Sequence, residues 1–98
     1  MNPIQPKVQM VNQPDYRDGY ANSVQVRMSL WDFFLTFGTA AQTAPDLVTI
    51  HNFQGIYFSP QQAKALLHLL QQNVAQYEAA FGPIHLEPQS GDAGSIIQ

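Results

Sequence analysis

Between Ser59 and Pro83 the chain spells out one helix with both ends marked. Pro60 suits the first helical position, where its missing N–H costs nothing, and Ser59 with Gln62 forms a Ser-x-x-Gln capping box. At the far end Gly82 suits a left-handed closing position and Pro83 forbids continuation. Ala63, Leu67, Leu70, Val74, Tyr77 and Phe81 follow one another at spacings of 4, 3, 4, 3 and 4, and Leu66 widens the stripe. At about 1.5 Å per residue such a helix reaches roughly 33 Å, longer than a six- or seven-residue strand. Part of its apolar stripe therefore overhangs a three-stranded sheet.

The segment before the helix has the other period. In "NSVQVRMS", Val24, Val26 and Met28 share one face while Ser23, Gln25, Arg27 and Ser29 take the opposite one. "SLWD" reads as a hairpin hinge, because the Ser29 hydroxyl can accept from the turn amides while Asp32 reaches back. "FFLTFG" then puts Phe33, Leu35 and Phe37 on one side and Phe34 and Thr36 on the other. "TAAQTAPD", residues 39–46, has the small residues and the Pro-Asp of a loop. A third strand follows in "LVTIHNFQGIYF", with Val48, Ile50 and Asn52 opposite Leu47, Thr49, His51 and Phe53, and with Gly55 predicted to mark a bulge or bend. Apolar groups thus stand on both faces of the strands.

A chain of 98 residues makes one domain and removes only about 60–68% of its unfolded surface from water on folding. It is 45% hydrophobic but only 11% charged, against roughly 25% charged in an average domain, so Gln and Asn replace charge on its surface. A formal charge of −3 with four scattered cations cannot neutralise many phosphates, which argues against nucleic acid as a partner. With no cysteine there is no disulfide framework or thiolate chemistry. "MNPIQPKVQM" lacks a basic start followed by an apolar leader core, and no apolar run approaches the length of about 18 residues that spans a bilayer. A cytoplasmic protein without a membrane partner is expected.

Pro3, Pro6 and Pro14 among Asn and Gln make residues 1–15 a flexible N-terminal arm, in which Val8 to Val11 could pair as an edge strand. Asp18-Gly19 suits a turn before the first strand. Residues 16–87 form the single domain, in which "IHLEPQ" could add a fourth strand, and 88–98 form a flexible C-terminal tail, where Ile96 and Ile97 could dock weakly.

"YANSVQV", "WDFFLTFG", "GIYFSPQQAKALLHLL" and "YEAAFGPI", taken in order across Tyr20 to Ile84, resemble the family of small prokaryotic proteins called domain of unknown function 3467. The resemblance brings no catalytic motif with it. A β-meander followed by a long helix also looks loosely like the architecture of the SecB export chaperone, whose subunits pair through strands and helices and hold apolar segments in grooves.

The chemistry-bearing residues read as structural. His51, His68 and His85 have no metal-ligand spacing, so no metal or cofactor is expected. Asp15, Asp18, Asp32 and Asp46 belong to turns, and Ser59 is a cap outside any Gly-x-Ser-x-Gly elbow, so no catalytic residue is assigned. Tyr20 and Asn22 admit a ligand reading, but Asn22 more naturally closes the turn into the first strand. The fold class expected is α+β: an antiparallel β-meander of three to four strands followed by one long C-terminal helix packed on the sheet. One helix covers one face, so Phe34, Leu47, Phe53, Leu70, Val74 and Tyr77 are the expected interface of a homodimer or higher homo-oligomer. The function expected is a non-enzymatic interaction or scaffold protein. The alternatives are a SecB-like holdase taking apolar protein or peptide segments, and a small enzyme.

Overall fold

A computed structural model describes residues 4–86 and the backbone of Ile96 and Ile97. Three antiparallel strands, β1 (Ser23–Met28), β2 (Phe33–Ala44) and β3 (Leu47–Phe58), lead into one helix, α1 (Pro60–Phe81), and a two-residue strand, β4 (Ile96–Ile97), lies against β1. The order across the sheet is β3-β2-β1-β4, a meander with one added edge. The expected α+β arrangement is the one observed. Residues 84–86 form no strand, so the fourth strand is β4 and not the segment just after the helix. Of the tail expected at 88–98, all but Ile96 and Ile97 lies outside the described residues.

The helix starts and ends where predicted, with the Ser59 half of the capping box made and no bond from the Gln62 side chain back to Ser59. Ser59 is extended (φ −63°, ψ 154°) and its hydroxyl accepts from the Gln62 amide at 3.1 Å. Gly82 takes φ 103° and donates its N–H to the Glu78 carbonyl at 2.9 Å, while the Glu78 carboxylate accepts from the Ile84 amide. Ser59→Ala removes one capped amide and is expected to lower stability by about 0.5–2 kcal/mol, read as a lower denaturant midpoint at unchanged slope. Coincident melts would remove the cap from this account.

The β1–β2 hinge also forms as read. The Ser29 hydroxyl accepts from the amides of Trp31 (3.1 Å) and Asp32 (3.2 Å), and itself donates to the Asp32 carboxylate at 3.1 Å. The side of the sheet that carries Val24, Val26, Phe33, Leu35, Phe37 and Ile56 follows from the register, since directly paired residues share a face. The opposite face is more polar there, with Ser23, Gln25, Arg27 and Thr36 around Phe34 and Tyr57.

Four local expectations change. Residues 39–44 are not a loop: β2 runs to Ala44, and only Pro45 and Asp46 turn the chain. The small residues there pair with β3 beyond the end of β1, helped by a bond between the Thr43 and Thr49 hydroxyls at 2.9 Å. The bulge falls at Phe53, where the register slips opposite Phe37 and Gly38, and not at Gly55. The described part of the arm, from Ile4 on, is exposed and has no strand at Val8 to Val11. The turn in this region lies at Pro14 and Asp15, closed by the Tyr16 amide on the Gln13 carbonyl, and not at Asp18-Gly19. Asp18 instead accepts from the Tyr16 hydroxyl at 2.5 Å, a bond that holds the neutral phenol and so raises its pKa above the usual tyrosine value.

The largest departure concerns packing. The helix was expected to lie on the sheet, yet no residue of α1 is buried. On the apolar stripe only Ala63 and Leu66, in its first two turns, are half-buried, and Leu67, Leu70, Val74, Tyr77 and Phe81 stand in the open. Among the described residues no hydrophobic side chain is buried. The radius of gyration is 17.5 Å, where a compact chain of about 100 residues has about 13 Å. The accessible surface is 9092 Å², where a compact monomer of this mass exposes about 5,600 Å². The physical reason is the connection: a single residue, Ser59, separates β3 from the helix, too short a link to reverse the chain over its own sheet.

A candidate association surface

The six residues named as an interface fall into three environments. Phe34 is half-buried and engaged within the chain. Its ring lies 4.4 Å from that of Tyr57, its direct partner on β3, and the Arg27 guanidinium sits over it at 4.9 Å from the centroid. The same ring covers Gly55, where a Cβ would come within 2.6 Å of it. An aromatic resting on a cross-strand glycine explains why Gly55 stands in this strand, a role that sequence reading assigned to a bulge.

Leu47 and Phe53 lie on β3, the outer strand of the sheet, and are half exposed. Phe53 is approached by Gly19, in the segment before β1, where a Cβ would fall 3.2 Å from its ring. Leu70, Val74 and Tyr77 sit together on the open part of α1, between 42% and 53% exposed, and the Tyr77 ring tilts against Phe81 at 5.0 Å. Leu67, Leu70 and Val74 with Gln71, Ala75 and Glu78 line a shallow open depression along the helix. The structure therefore brings the three helix residues together and leaves Phe34 and the β3 pair apart from them.

Sequence reading left Asn22 between two roles, and the structure gives it one. Its side-chain oxygen accepts from the Ala40 amide at 2.7 Å, its side-chain nitrogen donates to the Ala40 carbonyl at 3.2 Å, and its own amide donates to the Gly38 carbonyl at 3.1 Å. An amide side chain thus extends β1 by one step along β2, and it anchors the outer half of the β2–β3 ribbon, which β1 does not reach. Asn22→Ala is expected to cost about 1–3 kcal/mol, since two backbone groups lose their partner. The check is amide hydrogen exchange, which should speed up at Ala40 more than at Val26; equal protection in both proteins would contradict the anchoring role.

His51 lies on the outer half of β3, His68 on the helix and His85 beyond it. Among the described residues no three His, Asp or Glu side chains gather in a way that could hold a metal ion. No described helix is long and apolar enough to cross a membrane.

Taken together, these elements define a small α+β chain with exposed apolar surfaces: a meander with one apolar face and a capped helix that leaves it. Residues 1–86 match the family described as "Protein of unknown function (DUF3467)", and the chain belongs to that family. The match takes in the arm as well as the Tyr20–Ile84 segment whose motifs carry the resemblance. No curated protein and no solved structure matches the chain.

Proposed function

We propose that the chain is a non-enzymatic cytoplasmic interaction or scaffold protein that works as a homo-oligomer. The observation that supports this most is that a chain with an apolar helix stripe and an apolar sheet face buries no described hydrophobic side chain. Ordering a residue costs about 1–2 kcal/mol of backbone entropy, and burial of apolar surface is the main term that offsets it. A lone chain whose apolar side chains are at most half-buried has little of that term. The outer strand adds to the argument, because "LVTIHNFQGIYF" has neither charge nor proline, the usual guards of an unpaired edge.

In this reading folding and association are one equilibrium, so the melting temperature rises with protein concentration. Thermal melts over a hundredfold dilution series test it; a well-folded chain whose melt does not move would refute it. A holdase for apolar polypeptide is the second reading, favoured by Leu30 and Trp31, which stand 81% and 79% exposed on the β1–β2 turn, outside the helix stripe. Suppression of aggregation of an unfolded client by the native chain, lost in Trp31→Ser, would select it.

A further inference from the structure

We infer that the apolar sheet face of one copy is covered by helix α1 of a second copy, reciprocally, so that the folded unit is a dimer with exchanged helices. The inference deepens the homo-oligomeric reading above and rests on it.

Three observations lead there. The first is the connection between strand and helix. β3 ends at Phe58 and α1 begins at Pro60, with Ser59 extended between them and the Pro60 φ fixed by its ring. The helix consequently continues away from the end of β3, with Ala63 and Leu66 half-buried near its start and Leu67, Leu70, Val74, Tyr77 and Phe81 left exposed.

The second is that the two uncovered surfaces complement each other in chemistry. The face with Val26, Phe33, Leu35, Phe37 and Ile56 carries no charged residue, and the stripe is bordered by one, Glu78, whose carboxylate is engaged by the Ile84 amide, so each is a fit for the other and a poor fit for water. The opposite face, with Arg27 over Phe34 and with Ser23, Gln25 and Thr36, is a weaker candidate.

The third is area. The chain's 9092 Å² of accessible surface exceeds that of a compact monomer by about 3,500 Å², and obligate dimers bury about 2,000–5,000 Å² counted over both partners. Part of the excess belongs to the extended arm, and an interface of that size asks about 1,000–2,500 Å² of each chain. Reciprocal exchange also closes under a two-fold axis, so every copy has both its surfaces filled and no open chain of subunits grows.

The absence of cysteine makes the test direct. Val26→Cys places one thiol on the sheet face and Val74→Cys places one on the stripe, each a small change of volume. The two single-cysteine chains, one carrying a longer tag, are unfolded together, refolded, and treated with a short bis-maleimide linker. The expected result is a covalent dimer joining the two different variants as the main product, with little joining of either variant to itself. Val74→Cys chains that couple to one another as readily would show helix-to-helix pairing and overturn the exchange while leaving the oligomer intact. A double variant that links within one chain, in the presence of excess unmodified chain, would place the helix on its own sheet and overturn the exchange. Sedimentation of the same samples separates the two ideas: uncoupled chains that sediment as oligomers refute only the exchange, and a folded monomer refutes the homo-oligomer as well.

Discussion

Leu70→Asp is expected to abolish the cooperative thermal transition at micromolar concentration. Leu70 stands at the middle of the uncovered stripe, beside Val74 and across one turn from Leu67. If a second copy covers the stripe, each chain loses the transfer energy of a buried leucine, about 1.5–3 kcal/mol, and a symmetric dimer loses it twice. A carboxylate in an apolar interface adds its own desolvation cost. Those losses approach the whole stability of a small domain, about 5–15 kcal/mol. Gln72 lies about 200° around the helix from Leu70, so Gln72→Asp is expected to change stability by no more than about 0.5 kcal/mol. Circular dichroism melts of the three proteins side by side read the difference. Equal melts for Leu70→Asp and the parent chain would mean that nothing covers the stripe.

Gly38→Ala is the second substitution with a large expected effect. Gly38 is buried in the central strand at the register slip, and a Cβ there would lie 2.7 Å from the Asn52 side-chain oxygen, 2.8 Å from the His51 carbonyl oxygen and 3.1 Å from Ile50. Asn52 can rotate away, but the His51 carbonyl belongs to the ladder. The strands must separate locally, and the Asn22 amide that donates to the Gly38 carbonyl is disturbed with them. Overpacking of this kind costs about 1–3 kcal/mol, and the loss of neighbouring hydrogen bonds adds to it. Denaturant titration measures the change; a variant as stable as the parent would mean that the bulge has room the geometry does not show.

These two positions mark what the sequence makes legible and what it leaves unread. The helix and its ends follow from Ser59, Pro60, Gly82 and Pro83, because capping is a local transaction between neighbours in the chain. The Ser29–Asp32 hinge is legible for the same reason. The outer half of β2 is not: Thr39 to Ala44 are small and show no hydrophobic alternation, and they become a strand only because β3 lies alongside with a complementary ladder. A glycine in a strand signals either a bulge or a close approach, and the sequence does not tell these apart at Gly55, because the large ring that approaches, Phe34, comes from another strand.

The candidate surface was legible in part. Period and spacing named Leu70, Val74 and Tyr77 as one stripe, and the helix presents them together. Alternation gives Phe34 a face and not a neighbour, so it suggests a side chain in want of a partner; its neighbours Arg27, Gly55 and Tyr57 are brought by pairing. That the stripe would miss its own sheet depends on the direction in which one extended residue, Ser59, sends the helix. Amphipathic periodicity says that a helix needs a cover and is silent on which chain supplies it.

The association on which this account rests is tested most directly by sedimentation equilibrium of the unmutated chain at micromolar concentration, with circular dichroism on the same sample. The expected result is a folded species of at least twice the chain mass of 10.9 kDa, whose helical signal falls as dilution drives it to monomer. A well-folded monomer that keeps its helical signal at every concentration would contradict it.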